Sequence, residues 1–141
     1  MSDGDRVPEP PAGFTPSARG PFTTHNGPFF HRVTADGFEH AFHALRRHCN
    51  GMGIVHGGML TTFLDGVLAR AVVNAIDSAA VTVHLSVDFL SMARAGDWVF
   101  GDAHVTRKAR DLVFVEGRVR VGEREVLRGS GVFKPVRRRI D

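Results

Sequence analysis

Asp65 is the residue whose type and surroundings most strongly indicate chemistry. Its neighbours Phe63, Leu64, Val67 and Leu68 are apolar. An ionised carboxylate among such residues is unfavourable unless it is paired or hydrogen-bonded. By residue type alone, a structural buried aspartate is the better interpretation. The His-Gly-Gly sequence in front of Asp65, at a predicted helix start, shifts the interpretation towards catalysis. A desolvated carboxylate is also a stronger base than a hydrated one.

Two glycines, Gly57 and Gly58, precede Asp65 at the predicted start of a helix. The first N–H groups of a helix have no intrahelical acceptor and carry the positive end of the dipole. Because glycine has no Cβ, a ligand can approach this backbone closely, and an oxyanion or a polarised carbonyl suits it. One such donor in an acyl-transfer site is worth about 2.7–4 kcal/mol. A tight turn would also explain the pair, so the glycines count only together with Asp65.

Asn50 and His56 are polar residues of the loop before this helix. Asn50 can orient a water or a neighbouring main chain, and His56 can fix the loop or polarise a ligand. As isolated residues, both are more often local caps. His40, His43 and His48 lie near one another, but no acidic or cysteine ligand set closes a site. The sequence therefore predicts no metal site.

An α+β fold is expected to position these residues. Periodicity and composition predict strands at 29–34, 38–47, 80–89, 98–107, 112–121 and 126–133, and a helix from 58 to about 76. The helix is apolar nearly all round, which indicates burial by other elements. Hairpin turns are expected at 96–97, 109–111 and 122–123. Two strands, a helix and a meander of four strands favour one long central helix wrapped by a curled antiparallel sheet of five to six strands.

Composition divides the chain of 141 residues into three parts. Residues 1–28 hold six of the seven prolines and predict a loosely structured, proline-rich arm. Residues 29–136 form the predicted domain. Residues 137–141 begin with three arginines and are expected to be a solvated basic tail.

The cysteine count, the charge and the first residues exclude several classes of protein. The single cysteine, Cys49, rules out a disulfide scaffold. The first residues lack the apolar region of a signal peptide, and Asp65, Arg70 and Asn74 interrupt the longest apolar stretch, so no membrane span is expected. The cytoplasm is the expected location. A net charge of +3 suits nucleic acid or a polyphosphate ligand, but no nucleic-acid motif accompanies it.

The block RHCNGMGIVHGGMLTTFLDG, residues 47–66, resembles the signature of hotdog-fold acyl-CoA thioesterases of the phenylacetate-pathway (PaaI-like) type. An asparagine, then His-Gly-Gly, then an aspartate eight residues after the first glycine is the pattern of that family. The order of elements agrees from about residue 29 to 134. The resemblance implies a hotdog fold and a hydrolase that needs no cofactor, since CoA is part of its substrate.

The resemblance also implies residue roles. Gly57 would donate its N–H to the thioester carbonyl, Asn50 and His56 would hold the thioester and the attacking water, and Asp65 would be the general base or the nucleophile. Thr82 falls where relatives place a Ser or Thr that assists the water. Similar proteins form homodimers in which Asp65 of one chain faces the loop of the other, often as dimers of dimers, so a homotetramer is expected.

Four further residues are candidates for binding the substrate. Gly58 offers an open backbone beside Gly57. Arg107, Lys108 and Arg110 lie at a predicted hairpin end and could meet the phosphates of CoA. A solvated charged turn is at least as good an interpretation of each of these three.

Two other functions stay open within the same fold. A hydratase or dehydratase acting on acyl-CoA or acyl-carrier protein would use a different His/Asp or His/Glu layout on the helix. A non-catalytic acyl-CoA-binding module would keep the pocket but would need no carboxylate at position 65. The acyl group is also open, because the 11 phenylalanines could line an aromatic or a fatty-acyl pocket.

Overall fold

One 20-residue helix lies across an antiparallel sheet that has seven strands within the described part of the chain. The computed structural model describes residues 5–136, so the predicted basic tail lies outside the described residues. The elements are β1 (Thr15–Pro16), α1 (Pro21–Asn26), β2 (Phe29–Thr34), β3 (Gly37–His43), α2 (Gly57–Ile76), β4 (Ala80–Phe89), β5 (Trp98–Lys108), β6 (Val113–Val121) and β7 (Arg124–Pro135). The predicted hotdog architecture, a central helix covered by a curled sheet, is confirmed.

The strand order is β1-β2-β3-β5-β6-β7-β4, which corrects the predicted meander of four strands. β4 pairs with β7 at the far edge and not with β5. A 20-residue helix is about 30 Å long, and four strand spacings measure about 19 Å. α2 can therefore carry the chain from β3 across the sheet to its opposite edge. Gly96 and Asp97 consequently end a crossover segment instead of forming the predicted hairpin turn.

The proline-rich arm is more ordered than its composition suggests. Its strand β1 pairs with β2 and raises the strand count above the predicted five to six. Phe14 is buried against Phe30 and lies 5.8 Å from the Phe100 ring, measured between ring centroids. One buried aromatic ring and two ladder positions fix this segment despite its prolines. The boundary at residue 28 stays a prediction.

Glycines on the sheet let α2 approach it closely. Gly117 and Gly129 are direct partners on β6 and β7. A Cβ on Gly129 would lie 2.6 Å from Leu64 Cδ2 and 2.8 Å from the Ser86 carbonyl oxygen. Any side chain there would push the helix away, so these glycines set the depth of the helix.

α2 buries one face and leaves the other partly open. The core face carries Leu60, Phe63, Leu64, Val67, Leu68 and Val72. By length and composition alone, α2 could also cross a membrane, with a mean hydropathy of 1.4. Its packing against five strands is instead that of a core helix. The opposite face, which includes Thr62, Asp65, Gly66 and Ala69, is only half-buried, so one chain does not enclose the helix as the sequence predicts.

Candidate active site

Asp65 and Thr82 form a hydrogen-bonded pair between α2 and β4. The Thr82 hydroxyl donates to Asp65 Oδ1 at 2.7 Å. Asp65 is half-buried and Thr82 is exposed, and among residues 5–136 the carboxylate has no other hydrogen-bond donor. A fixed carboxylate with a free oxygen at a half-buried surface can accept a proton or attack an electrophile. We call this pair the carboxylate half-site.

A β-bulge helps to aim Thr82. Thr82 pairs with Phe133 and His84 with Val132, so Val83 is an extra residue in the ladder. Such a bulge redirects the side chains beside it. This bulge is not predictable from the sequence, since strand alternation gives no sign of one inserted residue.

His56 is the N-cap of α2. Its Nδ1 accepts a hydrogen bond from the Gly58 N–H at 2.8 Å, and its carbonyl accepts from Met59 and Leu60. Because Nδ1 is an acceptor, the proton of the neutral ring lies on Nε2. His56 therefore fixes the helix start and keeps one N–H donor for another partner. The Gly58 N–H is engaged by this cap, and the contact of Gly58 with substrate stays a prediction.

Gly57 keeps a free amide at the helix start. Within the described residues its N–H meets no acceptor. A Cβ at this position would lie 3.2 Å from Phe89 Cε1. Phe89, at the end of β4, is 56% exposed and covers one side of this backbone. The sequence analysis did not single out Phe89, although an exposed aromatic at a strand end is a usable signal.

Asn50 organises the loop in front of α2. Its side-chain Oδ1 accepts from the backbone amides of Met52 and Ile54 at 2.9 and 3.2 Å. Its backbone N–H donates to the Ile54 carbonyl. The role as a local cap is thus present. The Nδ2 donors meet no acceptor in the described part of the chain and can serve a ligand. We call Asn50, His56 and Gly57 the loop half-site.

The two half-sites lie apart within one chain. Gly57 and Asp65 are eight residues apart, which is about 12 Å along the helix axis. A single carbonyl group cannot contact both. The structure therefore joins Asp65 to Thr82 by a hydrogen bond and places Asn50, His56 and Gly57 on the loop that leads into α2, but it does not join the two groups in one chain.

The basic candidates lie at the other end of α2. Lys108 Nζ is 3.5 Å from the Ala75 carbonyl oxygen. Ala75 is 18 residues from Gly57, or about 27 Å along the helix. Arg107 and Arg110 share this end through β5 and the following turn.

A second basic surface, missed in the sequence, borders the loop half-site. A cavity of about 640 Å³ is lined by Arg46, Arg47, Asn50 and Gly51, among others. The adjacent arginines directly before the Asn50 loop were the available signal.

One of the clustered histidines, His48, has a structural position. His48 Nδ1 accepts from the Leu45 N–H at 3.0 Å, and Nε2 lies 2.7 Å from the Asn26 carbonyl oxygen. Burial lowers the pKa of His48, so the neutral form with its proton on Nε2 fits both contacts. Within residues 5–136 no three His, Cys, Asp or Glu side chains group as metal ligands.

Comparisons with known proteins find similarity to thioesterases and to an esterase. The family model described as the thioesterase superfamily matches residues 52–127. A Pseudomonas aeruginosa protein named "Putative esterase PA0474" is 38% identical over 129 residues, covering 87% of this chain and 95% of that protein. The human acyl-coenzyme A thioesterase 13 is 29% identical over 68 residues, covering 48% of this chain and 49% of that protein.

A solved structure from Ralstonia eutropha JMP134 is similar over most of the chain. It is named "putative thioesterase, phenylacetic acid degradation-related protein". It superposes with a TM-score of 0.72 at 27% identity and covers 83% of this chain and 92% of the other.

Proposed function

Because this chain belongs to the thioesterase superfamily, with a PaaI-like hotdog fold, we propose that it hydrolyses an acyl-CoA to the free acid and CoA. The observation that carries the proposal is the carboxylate of Asp65, held by the Thr82 hydroxyl at 2.7 Å on a half-buried helix face. An acyl-CoA-binding module would have no need of an oriented carboxylate. The free N–H of Gly57 supplies the second requirement, a donor for the thioester carbonyl.

The proposed reaction uses these groups in order. The Gly57 N–H donates to the carbonyl oxygen, where negative charge grows as the carbonyl carbon is attacked. Asp65 accepts a proton from water, the water oxygen bonds to the carbonyl carbon, and the C–S bond breaks. The thiolate of CoA leaves and takes up the proton that Asp65 accepted, which regenerates the carboxylate. Asn50 Nδ2 and His56 Nε2 are placed to hold the thioester or the water.

Asp65 can also act as the nucleophile. Its carboxylate would then displace CoA to give a mixed anhydride, which water hydrolyses. Single-turnover hydrolysis in ¹⁸O-water tests the anhydride route, because label on the Asp65 carboxylate requires attack of water on the Asp65 carbonyl of an anhydride.

A homodimer would complete the site. Two α2 helices lying antiparallel about a two-fold axis can place Asp65 of one chain beside Gly57 of the other. The open face of α2 carries the small residue Ala69, which allows close approach of a second helix. β4 is an edge strand with the exposed apolar residues Val81 and Val83, which need cover. A dimer of such dimers, a cytoplasmic location and the absence of a cofactor are further parts of this proposal.

The same antiparallel arrangement gives the basic residues Arg107, Lys108 and Arg110 a role. In the second chain, Ala75 lies ten residues beyond Asp65, or about 15 Å further along the helix. Its neighbour Lys108 would then lie outside the loop half-site of the first chain, with Arg107 and Arg110. The phosphates of CoA are proposed to meet these residues as the nucleotide leaves the site.

Release of free thiol from a panel of acyl-CoAs tests the proposed function. Asp65→Ala is expected to keep its circular dichroism spectrum and to lose about 10²–10⁴-fold in kcat, as removal of a general base requires. Thr82→Ala should lose less, because Thr82 only orients the carboxylate. Glu123→Ala, in the exposed β6–β7 turn, is the matched control. Near-normal kcat in Asp65→Ala would contradict the mechanism.

The same panel separates the alternatives. No turnover of any acyl chain by the wild type would favour a binding module. Formation of an enoyl product from 3-hydroxyacyl-CoA, without release of thiol, would favour a hydratase or dehydratase.

A further inference from the structure

An arginine of the N-terminal arm reaches the helix next to Asp65. The Arg19 side chain is half-buried, and its Nη1 donates to the carbonyl of Gly66 at 3.1 Å. Gly66 directly follows Asp65. Arg70, one turn further on, stacks over Phe38 with its guanidinium carbon 4.5 Å from the ring centroid. Neither arginine forms an ion pair with a carboxylate in the described part of the chain.

His40 is a second polar side chain in this region that lacks a partner within the described chain. It is 5% exposed and meets no hydrogen-bond partner among residues 5–136. Burial first, then Arg19, His31 and Arg70, lower its pKa to about 3, so the ring is neutral near pH 7 and can donate one N–H. Burial, then Arg70, also lower the pKa of Arg19. The charged groups that act on this pocket are the two arginines, which have no carboxylate partner among the described residues, whereas buried charges are normally paired.

Arg19 and His40 line the same small cavity. Its volume is about 30 Å³, and its other walls include the hydroxyl residues Thr23 and Thr62 and the rings of Phe29 and Phe63. A water molecule needs at least roughly 10–15 Å³ of such space, so the cavity has room for one small polar group and not for a chain. A guanidinium, an imidazole and hydroxyls on apolar walls fit a carboxylate attached to a hydrocarbon.

We propose that this cavity receives a carboxylate at the far end of the acyl group, which makes CoA thioesters of dicarboxylic acids the preferred substrates. The inference rests on the proposed function. It follows from position, because Thr62 and Gly66 flank Asp65 on the open face of α2. The acyl group leads away from the carbonyl attacked at Asp65, and a short chain brings its far end to Arg19.

Matched pairs of substrates test the proposal. Glutaryl-CoA is compared with pentanoyl-CoA, and adipoyl-CoA with hexanoyl-CoA, so that each pair differs in the terminal carboxylate. The wild type is expected to have a kcat/KM about ten-fold or more higher for the carboxylate member of a pair, since hydrogen bonds to charged groups are the stronger ones. Arg19→Gln should reduce this ratio about ten- to hundred-fold, and Arg19→Lys should reduce it less. Arg128→Gln removes one positive charge on the opposite face of the sheet and should leave the ratio unchanged.

Binding of free glutarate, measured by calorimetry, tests the cavity without turnover. If no thioester is hydrolysed but glutarate binds to the wild type and not to Arg19→Gln, the proposed function fails and the carboxylate site stands with a free anion as its ligand. A wild-type preference for the neutral acyl groups would overturn the proposal. An equal loss of kcat/KM for both members of a pair in Arg19→Gln would also overturn the proposal. Arg19 would then only hold the N-terminal arm against α2.

Discussion

His56 is placed to combine a structural role with a proposed catalytic role in the same imidazole ring. Nδ1 closes the start of α2 on the Gly58 N–H, and Nε2 keeps the ring proton for a ligand. The cap thereby fixes the position of the neighbouring Gly57 amide. The stability of the helix start therefore sets the geometry of the Gly57 amide, the donor proposed to bind the thioester carbonyl.

Two substitutions of His56 separate these functions. His56→Asn keeps a good N-cap and removes the Nε2 donor, so the free energy of unfolding should stay close to that of wild type while kcat/KM falls. His56→Ala removes both and should also lower the free energy of unfolding by about 0.5–2 kcal/mol. Urea denaturation and thiol release measure the two effects. Full activity in His56→Asn would show that the ring acts only as a cap.

At the scale of elements, the depth of α2 on the sheet depends on glycine. The row formed by Gly117 and Gly129 lies under Leu64 and Leu68. Because the helix carries Asp65 and the sheet carries Thr82, this depth also sets their 2.7 Å contact. A packing feature in the core thus controls a distance in the candidate site.

Gly129→Ala should be destabilising for this reason. The added methyl would meet the Ser86 carbonyl oxygen at 2.8 Å, and a paired backbone oxygen cannot move aside easily. Overpacking of this kind lowers the free energy of unfolding by about 1–3 kcal/mol. Gly51→Ala is the control, since a Cβ there meets nothing within 4 Å. Equal stability of the two variants in urea denaturation at one protein concentration would contradict this account.

For the whole molecule, the central question is how the two half-sites meet. Eight residues of helix separate Gly57 from Asp65, about 12 Å along the axis. Bending the helix would disrupt its core face, and we therefore propose that the second half-site comes from another chain. The exposed apolar residues of β4 and the open face of α2 are the surfaces on which that chain is proposed to pack.

Mixing two inactive variants tests the shared site. Asp65→Ala and His56→Ala are each expected to be nearly inactive alone. After random mixing in denaturant and refolding, half of the dimers are hybrids with one intact site of two, so about 25% of wild-type activity should return for an isologous two-fold dimer. Sedimentation should show a dimer or tetramer. No recovery from properly assembled hybrids, or an active monomer, would contradict the shared site.

The sequence by itself determined the element types and the candidate chemistry. The apolar run predicts α2 to within one residue, and the positions of Asn50, His56, Gly57 and Asp65 follow from their spacing around its start. These properties are local, because capping, helical periodicity and turn residues act over a few neighbours. For the same reason β2 and β4 are predicted with their observed bounds.

Only the tertiary structure decided which distant residues meet. The place of β4 beside β7, the bulge at Val83 and the contact between Arg19 and Gly66 join residues 38 or more positions apart. Strand pairing is chosen by how the helix crosses the sheet and by what the core can accommodate, and alternation within a strand carries no record of its partner. Burial of Arg19 without a carboxylate is likewise a property of the packed chain. The sequence shows which side chains exist, and packing decides which of them face one another.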